Sequence, residues 1–421
     1  MAGFQTEEVL QGARVAASMR KLLLDVAPFR VYPPVAGAHH AVYYADEAVS
    51  KYWDVFLFTT GVRKDTVRFI PRPQTKVIND HFTEYSYSSA SVIPLNIMTR
   101  QGAGIPQVYA SGYLAWSRPK VLAGKVEECD VIQVQSPWQV SYMNRINKLK
   151  KPLVFVAHNV EARLWEKFKA KGKMSSYRSW IMNEVSRQER DAVEKVDSVI
   201  AVSDMDREMF IEIYGVKEDK ITVIPWGVDV NKYCICSMDE KEKAKEALGL
   251  SGKTVVLFTG AHYEPNVEAV RTILDMVGEF GPDTLFLIVG RVGDAFKDVS
   301  LPNVMFTGFV DDPLRYFAAA DVGINPMLSG GGMHLKMLEY LSSGLPVVTT
   351  ELGARGLRKP WEDYMLISDM KGFSSALHSI LHDAEPREHY GAMGRKVVED
   401  SYSWDKVAGD RIKLYERLLS V

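Results

Sequence analysis

The stretch DVGINPMLSGGGMHLKMLEYLSSGLPVVTTELGARG, Asp321 to Gly356, decides the reading of this chain. Val322 to Asn325 predicts a buried strand, which runs into Pro326 and then Gly330, Gly331 and Gly332. MHLKMLEYLSS predicts a helix that Gly344 ends, and LPVVTT predicts the next strand. Strand, glycine-rich turn, helix and strand in that order make one step of a parallel α/β sheet. Glycines let a backbone approach a charged ligand, and the free N–H groups of a helix's first turn point at it. The pattern predicts a phosphate seat.

Lys336 and Glu339 stand three apart on one face of that helix, while Leu335, Leu338 and Leu341 supply its packed side. The axial rise from Gly332 to Glu339 is about 10 Å, roughly the reach from a diphosphate to the ribose of the same nucleotide. A carboxylate there can accept from both ribose hydroxyls. An ordinary surface glutamate on an α/β helix fits the local pattern equally well.

At 421 residues the chain exceeds one ordinary core, so two domains of about 200 residues are expected. A formal charge of -2 gives no field suited to nucleic acid, which is not expected as a partner. Cys129, Cys234 and Cys236 form neither a disulfide framework nor a four-ligand zinc site, which favours a cytoplasmic location. The first residues carry charges through their apolar part, unlike a signal peptide, and no stretch reaches the ~18 uninterrupted apolar residues of a membrane span. Peripheral contact at the inner face of a membrane stays open.

Upstream of the opening stretch the second half alternates regularly. KTVVLFTG, DTLFLIVG and NVMFTGFV predict strands, with VEAVRTILDMVGEF and PLRYFAAA as helices between them. Gly260 and Gly290 each follow a strand at the same sheet edge, and Arg291 beside Gly290 is placed to meet phosphate. Neither glycine belongs to a GxGxxG or P-loop pattern, which argues against a dinucleotide or ATP-cleaving site.

The first half opens as a βαβ unit, with a strand region from Lys21 to Tyr32, a helix after PPVAGAHH and the strand WDVFLFTTG. Gly37 sits where a tight loop meets the helix, either to admit a ligand or as a plain turn glycine. Residues 64–106 predict an irregular sheet edge and a substrate-side loop. KPLVFVAHNVE is a buried strand running straight into polar residues, so His158, Asn159 and Glu161 lie at the carboxyl end of a parallel strand, where ligands of open sheets collect. Arg163, Lys167, Lys169, Lys171 and Lys173, with Trp165 and Phe168, suit either an anionic bilayer or a solvated helix face. Asp204 with Asp206, and Asp311 with Asp312, read as helix-start caps rather than a metal site, and no metal is expected. SYSWDKVAGDRIKLYERLLSV is a terminal amphipathic helix made to dock.

Taken in order, PPVAGAH, AHNVEARLW, VDSVIAVS, ITVIPWGVD, LFTGAHYEPNVEAV, LIVG with VMFTGFVDD, and GGGMHLKMLEYLSSGLPVVTTELGARGL resemble the GT-B glycosyltransferases of family four, the large retaining group that includes sucrose synthases. The resemblance spans about residues 25 to 420. It implies an α/β GT-B fold of two facing Rossmann-like domains: 1–228 on the acceptor side, 229–402 binding the nucleotide sugar, and 403–421 as a helix crossing back to the first domain. It implies retaining, metal-independent transfer from a UDP- or GDP-linked sugar, with no separate cofactor, to a glycan, glycolipid or small-molecule hydroxyl acceptor.

By motif, Glu339 would bind the ribose, and Gly331 and Gly332 would seat the diphosphate with Lys336 offsetting its charge. The loop at Phe309 and Val310 would hold the base. His158 would stand by the transferred sugar, and Gly37 would let its loop touch phosphate or acceptor. The chain also departs from the family. Gly331 occupies the place of a first glutamate that touches sugar hydroxyls, GAHYEPN with His262 replaces an Arg and Lys pair, Trp226 replaces a turn asparagine, and Ala36-Gly37 replaces a double glycine. The alternatives are a GT-B epimerase or phosphorylase, and a sugar-nucleotide-binding protein without turnover.

Overall fold

In the computed structural model, residues 20–34, 37–60, 73–87, 110–163 and 176–420 are described. Eight strands form the first sheet: β1 (Leu22–Ala27), β2 (Asp54–Thr59), β3 (Gln74–Asn79), β4 (Phe82–Ser86), β5 (Val131–Val134), β6 (Leu153–Ala157), β7 (Ser198–Ala201) and β8 (Ile221–Val223). Their order is β3-β4-β2-β1-β5-β6-β7-β8, and every pairing is parallel except β3 with β4. The second sheet contains β9 (Thr254–Thr259), β10 (Thr284–Val289), β11 (Val304–Phe306), β12 (Val322–Asn325), β13 (Val347–Thr349) and β14 (Leu366–Ile367). It runs β11-β10-β9-β12-β13-β14 and is parallel throughout.

Both sheets are covered on two faces, which is why their strands read as continuous apolar runs. In β1, Leu24 and Val26 enter one core, while Leu23 and Ala27 enter the other. Two cores likewise flank the second sheet. In both sheets the order reverses beside the first strand, since β1 lies between β2 and β5, and β9 between β10 and β12. Crevices at such reversals, outside the carboxyl ends of strands, are where open α/β sheets bind ligands.

The chain passes between the units at two adjacent places. Val228 N–H donates to the Tyr402 carbonyl at 2.8 Å, and Val228 bridges Ser403. A Cβ on Gly227 would lie 2.6 Å from the Trp404 ring, so only glycine lets the two crossings touch. The Trp404–Leu419 helix then lies on the first unit, with Trp404 stacked on Tyr44 at 5.9 Å and Tyr415 against Trp53 at 5.5 Å.

Two sequence expectations change here. The expected irregular edge contains the β3 and β4 hairpin, and β4 lies inside the sheet beside β2. Its FTEYS alternates buried and half-buried residues, a period-two signal that the polar surroundings obscure. Residues 64–72 and 88–106 of that stretch lie outside the described residues, as do Ala36, Trp165, Lys167, Phe168, Lys169, Lys171 and Lys173. The helix expected from Met333 begins at Leu335, with His334 as its cap residue. Gly332 turns the chain at φ 68°, and Met333 packs between the cores of both units instead of joining the helix.

Candidate functional site

The segment after β6 in the first unit meets the segment after β12 in the second. β6 ends at Ala157, so His158 and Asn159 project beyond the sheet. From the other side comes Gly332: a Cβ there would lie 2.6 Å from Asn159 Oδ1 and 3.5 Å from the His158 carbonyl. Gly37, the first residue of the Gly37–Val49 helix, faces Leu335, whose Cδ1 lies 3.9 Å from where a Cβ would stand. The structure thus brings Gly37, His158 and the glycine-rich turn to one cleft.

The chain after β1 is held by Glu84, a buried carboxylate in β4. It accepts from the backbone N–H groups of Val31 at 2.9 Å and Tyr32 at 2.8 Å, so the end of β1 is tied to the sheet. These bonds offset the cost of burying the carboxylate.

Behind the glycine-rich turn, Lys336 donates to Asn266 Oδ1 at 2.9 Å and lies 3.9 Å from the centroid of the Phe258 ring. Burial pulls its ammonium down to about 7, and the Glu339 carboxylate opposes that pull. Glu339 accepts from the Tyr233 hydroxyl at 3.2 Å. Burial raises its carboxyl above the ordinary range, against the Tyr233 hydrogen bond and the Lys336 and Lys232 charges. A half-buried cation and a carboxylate one helical turn apart can bind an anion and a diol side by side.

The remaining expected residues form a chain along the second sheet's edge. Gly290 has φ 105°, and a Cβ on it would lie 2.4 Å from the Gly260 carbonyl. Gly260 in turn packs on Asn266, the partner of Lys336. Gly290 also bridges Gly308, which places Phe309 and Val310 next along the edge. Phe309 is 61% exposed, an aromatic face open to a planar ligand, while Val310 packs on the core. Arg291 lies over Phe309, its guanidinium 4.8 Å from the ring centroid. His262 is exposed on the turn after β9, and the side chain reaching Lys336 is Asn266, four residues on.

His158 is half-buried, with Nε2 at 2.9 Å from Gln135 Oε1 and its ring 4.9 Å from that of Trp226. Burial, followed by the Arg411 charge, holds its imidazole down at about 3, so the ring is neutral at physiological pH. It therefore offers one donor and one acceptor, not a cation.

Sequence reasoning missed several partners. Asn159 is placed beside His158 by the sequence, but Tyr233, and Asn266 at the end of GAHYEPN, are not singled out by it. Asp206, capped by Ser203, pairs with Arg355 across the units at 3.4 Å. Contrary to the sequence reading, neither Asp204 nor Asp206 is the cap, since both lie in the first turn behind Ser203, and Asp312 accepts from Leu314 N–H ahead of a helix whose cap residue is Pro313. One available signal was the interruption of apolar strands by buried polar residues: Asp25 in LLLDVA, and Gln133 and Gln135 in VIQVQ.

Known proteins resemble both units. Residues 37–232 match the family model described as Glycosyltransferase Family 4, and residues 253–383 that described as Glycosyl transferases group 1. The phosphatidyl-myo-inositol mannosyltransferase of Mycobacterium leprae is 33% identical over 238 residues, which cover 53% of this chain and 60% of that protein. The UDP-Gal:alpha-D-GlcNAc-diphosphoundecaprenol alpha-1,3-galactosyltransferase of Escherichia coli is 26% identical over 279 residues, covering 62% and 68%. The match thus spans well under the full length of these curated relatives.

Among solved structures, the sucrose-phosphate synthase of Thermosynechococcus elongatus superposes with a TM-score of 0.71 at 17% identity, covering 95% of this chain and 100% of that one. Anabaena Alr3699/HepE in complex with UDP gives 0.68 at 16% identity, covering 94% and 100%. At such identities the likeness establishes the shared fold, two facing α/β units of the GT-B type. No described helix is long and apolar enough to cross a membrane.

Proposed function

We propose, on the premise that this chain belongs to the group 1, family 4 glycosyltransferases, that it moves a sugar from a nucleoside diphosphate sugar to a hydroxyl acceptor with retention of configuration. The observation that carries this reading is the meeting of Gly332 with His158 and Asn159 above Lys336 and Glu339. The glycine-rich turn and Lys336 would take the diphosphate, with Gly331 and Gly332 supplying close backbone. Glu339, steadied by Tyr233, would take the ribose hydroxyls, and Phe309 and Val310 the base. Gly260 and Gly290 let the backbone pack closely beside them, and Arg291 would steady Phe309.

Catalysis in this reading rests on orientation and on stabilising charge at the leaving oxygens. The diphosphate's own oxygen would take the proton of the incoming hydroxyl on the same face, so no protein nucleophile is demanded. Lys336 neutralises the leaving group from the protein side, which reduces the need for a metal. Closure of the units excludes the water that would hydrolyse the donor. Glycolipid or other glycan acceptors, met at the inner face of a membrane, suit the two lipid-directed relatives, whose own names state such acceptors.

Gly331 in place of a sugar-reading glutamate favours a second reading, a protein that binds the nucleotide sugar without turning it over. Incubation with UDP-, GDP- and ADP-sugars in the presence of a chelator, followed by mass spectrometry, separates the two. Selective consumption of one donor is expected. Binding without consumption would favour the second reading, and silence towards every donor would overturn both.

A further inference from the structure

Beneath the cleft, the first sheet and two helices enclose polar side chains that donor binding does not account for. Asp25, Gln133 and Gln135 come from the sheet, Asp46 from the Gly37–Val49 helix, and Arg411 and Tyr415 from the Trp404–Leu419 helix. Each is at most 2% exposed. Burial at that depth demands hydrogen-bond partners, and here the partners have a direction.

An arginine can only donate. Arg411 Nη1 reaches Oε1 of Gln133 at 3.4 Å, and the Tyr415 hydroxyl donates to the same oxygen at 2.5 Å. That turns the Gln133 amide nitrogen towards Asp25, whose Oδ2 accepts it at 2.9 Å. The same Oδ2 accepts from Gln135 Nε2 at 2.5 Å. With its nitrogen committed, Gln135 presents Oε1 to His158 Nε2 at 2.9 Å. An amide oxygen only accepts, so the His158 proton sits on Nε2.

The acids agree with this polarity. Both Asp46 oxygens lack a donor among the described residues. Burial, and then the Asp25 charge, push the Asp46 carboxyl well above its ordinary range. Asp25 is raised by burial but held back by Gln135, Asp46, Gln133 and the Arg411 charge, and it keeps the acceptor role. His158 is half-buried, and its Nδ1 meets no hydrogen-bond partner among the described residues.

We propose that Asp25 and Gln135 are positioning residues that hold His158 in its Nε2–H tautomer, so that the ring offers the Nδ1 lone pair to the cleft as a hydrogen-bond acceptor. Arg411 anchors the series, so docking of the terminal helix sets the state of a cleft residue carried by the first unit. A hydroxyl of the transferred sugar or acceptor is the group that such a lone pair would orient. This last step rests on the transferase reading, whereas the tautomer does not.

The test is nitrogen-15 NMR of the labelled full chain, where two-bond proton–nitrogen correlations distinguish the tautomers and His158→Gln identifies the signals. The wild type is expected to show Nε2–H alone at neutral pH. Asp25→Asn introduces an amide that can donate as well as accept, which frees Gln135 to turn over. The Nδ1–H form should then rise, with kcat falling about tenfold, the effect of one lost hydrogen bond, and KM little changed. Gln135→Met, which removes the acceptor and leaves both carboxyls in place while Asp25 loses one donor, gives the same readout if Asp25→Asn fails to fold. An Nδ1–H tautomer in the wild type, or an unmoved tautomer in the folded variants, would overturn the proposal. Absent turnover with the expected tautomer would instead count against the transferase reading.

Discussion

Gly332→Ala probes the contact on which the cleft depends. Gly332 has φ 68°, a conformation that costs an ordinary residue about 1–2 kcal/mol. The added Cβ would also stand 2.6 Å from Asn159 Oδ1, closer than real Cβ contacts permit. Asn159 must swing away, and pushing a side chain off its rotamer costs about 0.5–1.5 kcal/mol. The expected destabilisation is therefore about 1.5–3.5 kcal/mol, and its two parts are separable. In an Asn159→Ala background the backbone part persists while the steric part disappears, so the same substitution should cost about 0.5–1.5 kcal/mol less. Urea unfolding of the four proteins in the double-mutant cycle measures this difference. A coupling energy of zero would refute the reasoning, because it would mean that the two units do not meet at Gly332 and Asn159.

Two further outcomes are expected. Glu339→Ala should weaken binding of a nucleoside diphosphate about ten- to a hundredfold, since hydrogen bonds to a charged acceptor are worth about 1.5–3 kcal/mol. Calorimetry with the 2′-deoxy analogue checks the assignment, because a ribose contact predicts that the substitution matters far less for that ligand. Arg355→Met should cost about 3 kcal/mol of stability by leaving Asp206, only 2% exposed on its side chain, as an uncompensated buried acid. Restored stability in Arg355→Met with Asp206→Asn would identify the lost charge pair as the cause, and an unchanged urea midpoint in the single variant would rule it out.

The β–loop–α alternation was legible because both sheets are covered on two faces, so their strands stand out as apolar runs such as KTVVLFTG and KPLVFVAHNVE. The same property placed His158 and the glycine-rich turn at sheet edges without any knowledge of how the sheets face each other. What sequence could not supply is distance across the chain. Asn266 meets Lys336 from 70 positions away, Tyr233 meets Glu339 from 106, and Arg411 meets Gln133 from 278. None of these pairs shares a helix or strand whose periodicity would betray it. The helix start was misjudged by two residues for a related reason: Met333 has good local helix propensity, but it is drawn into both cores by tertiary packing. The β3 and β4 hairpin was hidden because β3 is mostly exposed and its QTKVIN reads as polar.

The central claim is that the glycine-rich turn and Lys336 hold the donor's diphosphate, and calorimetric titration of UDP and GDP tests it most directly. Burial pulls the Lys336 ammonium down to about 7, so a bound anion would raise that value and binding would take up a proton above it. The wild type should bind one of the two diphosphates, more tightly at pH 6 than at pH 8, with proton uptake at the higher pH. Lys336→Met should bind weakly and lose the proton uptake at the higher pH, keeping only the dependence that the diphosphate's own terminal phosphate brings. Equal affinity for the wild type and Lys336→Met across that range would contradict the claim.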